Sequence, residues 1–257
     1  MYKVREKKTG KLFAVKAFSK ESLKATNKGK EALVNEINLM RKVDSDYLVK
    51  LEAVYETHNS VYLVQELLEG GPIFYKGLCH VESVHAKYIS YQLLKGVRDL
   101  RKHNIVHRDL KPDNIILLHQ NIGLLENKIK IVDFGLGAIS HFSTSLVHRK
   151  CGTPGFISPE VLNMKAHTTA DSCSNSDIFS VGIIFYFMIT GKMPFEGEDV
   201  YKIIEKNKSG KIDFLIPELS RVSSACRSLL KSMLEINPSS RITPEQALEH
   251  EYFSDFA

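Results

Sequence analysis

The chain has 257 residues, 43% hydrophobic and 25% charged, with 15 Gly, 8 Pro and no Trp. That composition belongs to a globular protein with a sizeable core and excludes disordered, collagen-like and disulfide-scaffold classes. The formal net charge of +5 is concentrated at the front, where residues 1–50 carry 13 Lys or Arg against 6 Asp or Glu. The longest apolar run, Val181 to Ile189, falls far short of the roughly 18 residues a bilayer span needs. The Lys-rich start lacks the apolar region of a signal peptide. Cys79, Cys151, Cys173 and Cys226 form no CxxC pair, which suits reduced thiols in a cytoplasmic, or nuclear, protein and argues against a structural zinc site.

In chain order, the first elements read as strands. Lys11 to Phe18, Leu48 to Tyr55 and Val61 to Leu67 are rich in Val, Leu, Phe and Tyr, and Thr9-Gly10 reads as a hairpin turn. One helix interrupts them, from Glu31 to Val43, with Leu33, Ile37 and Met40 as its apolar stripe and Glu36 beside it. After Gly70-Gly71-Pro72 the pattern turns helical. Ile89, Leu93 and Val97 mark an amphipathic helix that stops before His103-Asn104, and Asp177 to Thr190, closed by Gly191, is apolar on most sides and so belongs in a core. Short strands are expected at Ile115 to Leu118 and Lys128 to Val132. The polar segments His119 to Asn127 and Asn163 to Asn175 read as long surface loops.

Four motifs carry chemistry. His107-Arg108-Asp109-Leu110-Lys111-Pro112-Asp113-Asn114 fits H-R-D-L-x-x-x-N, and nineteen positions beyond Asn114 comes Asp133-Phe134-Gly135. Ser158-Pro159-Glu160 stands where A-P-E is expected, and Phe13-Ala14-Val15-Lys16 where V-A-I-K is expected. Singly, each could be a turn or a solvated charge; their shared order and spacing is what signifies. With these motifs the chain resembles a eukaryotic protein kinase catalytic domain over essentially its whole length. Lys111, the run Cys151-Gly152-Thr153-Pro154-Gly155-Phe156 and the segment Leu67 to Gly71 are similar to the Ser/Thr type of the calcium/calmodulin-dependent group.

The resemblance implies an α+β, bilobal fold: a small β-rich lobe with one helix over residues 1–69 and a larger helical lobe over 70–257. It implies a protein serine/threonine kinase using ATP and Mg²⁺. Lys16, aimed by Glu36, would hold the α/β-phosphates. Ala14, Glu66, Leu68, Ile116 and Asp133 would line the nucleotide site. Asn114 and Asp133 would hold the metal, Asp109 would take or orient the acceptor proton, and Lys111 would neutralise the transferring group. Leu51, Met40, His107 and Phe134 match a stack of four side chains through both lobes, so His107 is read as a core residue. Glu160 with Arg241 matches a buried ion pair, Asp177 a brace for the catalytic loop, and Thr153 the threonine that sets the substrate loop. Ser143, Thr144 and Ser145 are candidate phosphosites that Arg108 could pair with.

The implied partners are protein substrates met by a monomeric domain, with no direct nucleic acid and no membrane; the nucleic-acid signatures are missing. Three positions depart from the family pattern. The G-x-G-x-x-G-x-V loop is not in the sequence, since Met1 aligns with its closing Val, and the expectation is a fragment or truncated gene model with weakened nucleotide handling. Pro72 replaces a Glu that recognises basic substrates, leaving Asp113 as an acidic contact. Gln65 stands at the back of the adenine pocket where apolar residues are commoner. The competing reading is an inactive, pseudokinase-like nucleotide-binding or scaffold domain.

Overall fold

The computed structural model describes residues 1–25, 28–73, 83–139, 151–164 and 175–256. Ser143, Thr144, Ser145, Cys79, Cys173 and most of the 163–175 segment lie outside the described residues. The small lobe opens with β1 (Tyr2–Arg5) and β2 (Leu12–Ser19), followed by the short helix α1 (Lys20–Ala25) and by α2 (Gly29–Lys42). Then come β3 (Leu51–Glu56) and β4 (Ser60–Glu66), completing an antiparallel sheet in the order β1-β2-β4-β3. Thr9 and Gly10 lie in the β1–β2 turn, which Gly10 N–H and Glu6 N–H close onto Glu6 and Lys11 carbonyls.

Register places the chemistry. Ala14 pairs with Gln65 and Lys16 with Leu63. Residues two apart on a strand share a face, so Ala14, Lys16, Leu63 and Gln65 all point to one side of the sheet. Leu63 is buried there, as are Leu33, Leu39 and Met40 of α2. The helix differs in one respect from the stripe expected of it. Leu39, not Ile37, completes the buried face with Glu36, while Ile37 is only half-buried and lines a second cavity with Leu23, Leu33 and Val54.

The chain crosses to the large lobe at residues 67–70 and enters β5 (Gly71–Pro72). Gly70 runs so close to the next sheet that a Cβ on it would sit 2.4 Å from Leu117 Cβ, so only glycine fits that crossing. Next are α3 (Ser83–Lys102), β6 (Ile105–Val106), a single 3₁₀ turn over Pro112–Asn114, β7 (Ile115–Leu117), β8 (Ile129–Ile131) and β9 (Ala138–Ile139). β5, β7 and β8 form one small sheet, and β6 with β9 another. The rest is helical: α4 (Pro159–Leu162), α5 (Ser176–Thr190), α6 (Val200–Ser209), α7 (Pro217–Ser220), α8 (Ser224–Met233) and α9 (Pro244–Leu248). Gly191, in the left-handed region at φ 68°, caps α5 and gives its N–H to Phe187. Among the described residues, no helix is long and apolar enough to cross a membrane.

The core of the large lobe gathers around α5, which packs on α3 and α8; its Phe179, Val181, Ile184 and Phe185 are fully buried in one cluster with Leu93 and Leu94 of α3 and Leu230 and Met233 of α8. The core continues into the small lobe through Phe134, Met40 and Leu39. The 119–127 segment is the surface loop its polarity implies, anchored at its end. Asn127 is fully buried, bonding both the N–H and the C=O of His119, and Gln92 of α3 donates to its carbonyl.

Candidate active site

Lys16 reaches across from β2 to two carboxylates. Its Nζ lies 2.9 Å from Glu36 Oε1 on α2 and 3.0 Å from Asp133 Oδ1 in the large lobe. Glu36 is buried, so α2 can stand against the sheet only with that carboxylate paired. For Lys16, burial disfavours the ammonium, but Glu36 and Asp133 more than offset this and hold its pKa above the ordinary lysine value. Burial likewise opposes ionisation of Asp133, yet the Lys16 ammonium and a Gly135 N–H keep its carboxyl below the usual range. Asp133 takes up the left-handed conformation, φ 66°, which for a non-glycine residue costs roughly 1–3 kcal/mol and persists only where the surroundings enforce it. Asn35 of α2 fastens the chain just beyond it, donating to Gly137 O at 2.8 Å.

The second cluster surrounds Asp109. Thr153 Oγ1 donates to Asp109 Oδ1 at 2.6 Å, Lys111 Nζ lies 3.1 Å from Oδ2 and 2.9 Å from Thr153 Oγ1, and Asn114 Nδ2 donates to the Asp109 carbonyl at 2.8 Å. The backbone just before Asp109 is held by Asp177, whose two oxygens accept from His107 N–H at 2.7 Å and Arg108 N–H at 2.9 Å. Complete burial pushes the Asp177 carboxyl upward despite these donors. His107 is fully buried, with its Nε2–H donating to Val132 O and its Nδ1 accepting from Asp109 N–H. With both ring nitrogens engaged, it is packed edge-on to Phe134, ring centroids 5.3 Å apart. Met40 is buried in the same cluster and Leu51 packs against it half-buried.

Between the lobes lies a cleft of about 550 Å³. Ala14, Lys16, Glu66, Leu68, Asn114, Ile116 and Asp133 all line it, as do Gln65 and Asp113. Glu36, Asp109 and Lys111 are not on its walls: Glu36 stands behind Lys16, while Asp109 and Lys111 face Thr153. The Glu66 carboxylate is turned to Lys130 Nζ at 2.8 Å and to Lys50 N–H, so its side chain is occupied away from any ligand. Gln65 is buried and donates to Met40 Sδ at 3.5 Å, which gives its amide a partner inside the wall. Further back, Arg241 clasps Glu160 through two hydrogen bonds of 2.6 and 2.8 Å, joining α4 to the chain before α9.

Sequence reasoning missed Lys130. On the I-K-I strand β8, alternation makes it look solvated, yet it is buried, bonded to Glu66 and to Leu48 O, and ties the two lobes together. The donor set fits a Mg²⁺ ion carried in with phosphate. Asn114 and Asp133 offer oxygen to one cleft, and among the described residues no cluster of three His, Cys, Asp or Glu forms a ready-made cage.

The arrangement has a family. A protein kinase domain model matches residues 1–253, and the chain belongs to that family. It is 36% identical over 250 residues to calcium-dependent protein kinase 4 of Plasmodium falciparum, covering 96% of this chain and 46% of that protein. It is 34% identical to the probable serine/threonine-protein kinase fhkC of Dictyostelium discoideum, over 97% of this chain and 41% of that protein. A probable myosin light chain kinase of the same organism is 35% identical, over 97% and 77%. The chain thus spans a little under half the length of the first two relatives.

Proposed function

We propose that the chain transfers the γ-phosphoryl group of ATP to serine or threonine hydroxyls of protein substrates. The observation that carries this reading is the joint assembly of two clusters, Lys16 between Glu36 and Asp133, and Asp109 with Lys111, Thr153 and Asn114, which meet one cleft through Lys16, Asp133 and Asn114. Lys16 binds and orients the phosphates, and its pairing with Glu36 fixes how far it reaches. Asp109 accepts the proton of the acceptor hydroxyl as the new O–P bond forms and the bond to the ADP oxygen breaks. Lys111, 3.1 Å from the same carboxylate, neutralises charge on the group in transit. Asn114 and Asp133 would hold Mg²⁺, which neutralises phosphate charge when bound.

The Ser/Thr preference is supported by Lys111 and Thr153 meeting at 2.9 Å and by the names of the relatives. The test is radiolabel transfer from ATP to arrayed peptides with Ser, Thr or Tyr as the sole acceptor. Label on Ser and Thr but not Tyr is expected; nucleotide binding by thermal shift with no label anywhere would leave a scaffold role instead.

A further inference from the structure

Helical spacing sets Val200, Ile203, Ile204 and position 207 on one side of α6; Val200 is exposed and the two isoleucines are half-buried, yet the residue at 207 is Asn207 and it is fully buried. A buried amide without partners is costly, so an asparagine as the fully buried residue of this helix calls for a reason. The reason lies in the segment that follows Thr153. Asn207 Oδ1 accepts from Gly155 N–H at 3.0 Å, and its Nδ2 donates to Ile157 O at 2.6 Å. Only one orientation of the amide satisfies both contacts, and neither an aspartate nor an aliphatic residue can make the two. Ser180 of α5 donates to the carbonyl between them, Phe156 O, at 2.8 Å. The other end of the same segment is fastened to the reaction centre, where Thr153 bonds Asp109 and Lys111.

We infer that Asn207 is a positioning residue for the protein substrate. It clamps the far end of the 153–157 segment so that this backbone presents a fixed surface to the peptide residues flanking the acceptor hydroxyl. The inference rests on the kinase reading, because a hydroxyl that reaches Asp109 must be carried on a chain passing beside Thr153. Nucleotide handling should be untouched, since neither α6 nor residues 155–157 line the interlobe cleft.

The test compares the full chain with Asn207→Leu, similar in volume, and Asn207→Asp, which keeps the acceptor for Gly155 but not the donor for Ile157. Peptide KM in the transfer assay should rise about tenfold in both variants, the scale of one lost buried hydrogen bond. ATP KM should stay unchanged and kcat should fall less than about threefold. Binding of an Ala-centred peptide pool, which cannot be phosphorylated, should weaken by a similar factor. Indistinguishable peptide binding by wild type and the folded variants would overturn the clamp, and so would an equal rise in ATP and peptide KM, the mark of a merely structural residue. Weakened peptide binding in the variants with no transfer by wild type would count against the kinase reading alone.

Discussion

Lys16 is one cation shared by two carboxylates from different lobes, with its side chain 26% exposed and that of Glu36 only 5%. Replacing it removes a partner from a buried charge, which costs more than the pair itself contributes. Lys16→Met should therefore destabilise the chain by about 1–3 kcal/mol, less than a fully buried pair because the lysine is partly solvated. Calorimetry should show a melting temperature lower by a few degrees, and phosphoryl transfer should fall by roughly 10²-fold or more. Unchanged transfer would remove Lys16 from its proposed role. The pairing of Lys16 with Glu36 and Asp133 was legible in the sequence because the motifs place these groups in a fixed order. Lys130, Asn35 and Asn207 were not. Each acts on a backbone group or a carboxylate distant in sequence, so periodicity reads the first two as solvated and the last as a flaw in an apolar stripe.

At the scale of elements, the long periodic segments were legible within a few residues: α3, α5 and the strands β2 and β4 occupy the spans their patterns imply. The short ones were not. α1 has six residues and buries none of them, so no periodicity records it, and β9 is two residues whose extended form depends on pairing with β6. The Glu160–Arg241 pair shows how such pieces are held. Arg241 has no exposed side-chain surface, lies over the Phe179 ring at 5.0 Å and donates to the Asn175, Glu235 and Ile236 carbonyls as well as to Glu160. Arg241→Leu strands a nearly buried carboxylate and three backbone carbonyls, and should lower stability by roughly 3–5 kcal/mol. Adding Glu160→Leu should recover part of the loss, since an apolar pair carries no buried charge. Urea unfolding of the two single variants and the double variant measures the coupling; strictly additive losses would mean that the two side chains do not act as a unit.

Across the whole molecule, the lobes meet through backbone bonds between residues 47–49 and Ile131, through Lys130 with Glu66, and through Lys16 with Asp133. The last of these is sensitive to pH in a definite direction. The Asp133 pKa is lowered on folding, so its contribution is present above about pH 4 and is lost as pH falls through the folded value. The Lys16 pKa is raised, so its contribution is present below about pH 10 and is lost as pH rises through the folded value. The stability difference between wild type and Lys16→Met should be level through neutral pH and shrink at both extremes. A difference that grows on acidification would contradict the pairing.

The bilobal architecture itself was legible from the change of texture at Gly70-Gly71-Pro72, and Gly70 is indeed where the backbone brushes the second sheet. What the two lobes are assembled to do is tested most directly at Asp109, whose carboxylate is bonded to Thr153, Lys111 and Asn114. Label transfer from ATP to a Ser-containing peptide should be measured for the wild-type chain and Asp109→Asn side by side in Mg²⁺, together with their melting temperatures. Asp109→Asn should transfer at least about 10²-fold more slowly while melting within a few degrees of wild type. Equal label transfer by the two proteins would contradict the assignment of Asp109, and no label from the wild-type chain would contradict the proposed phosphoryl transfer.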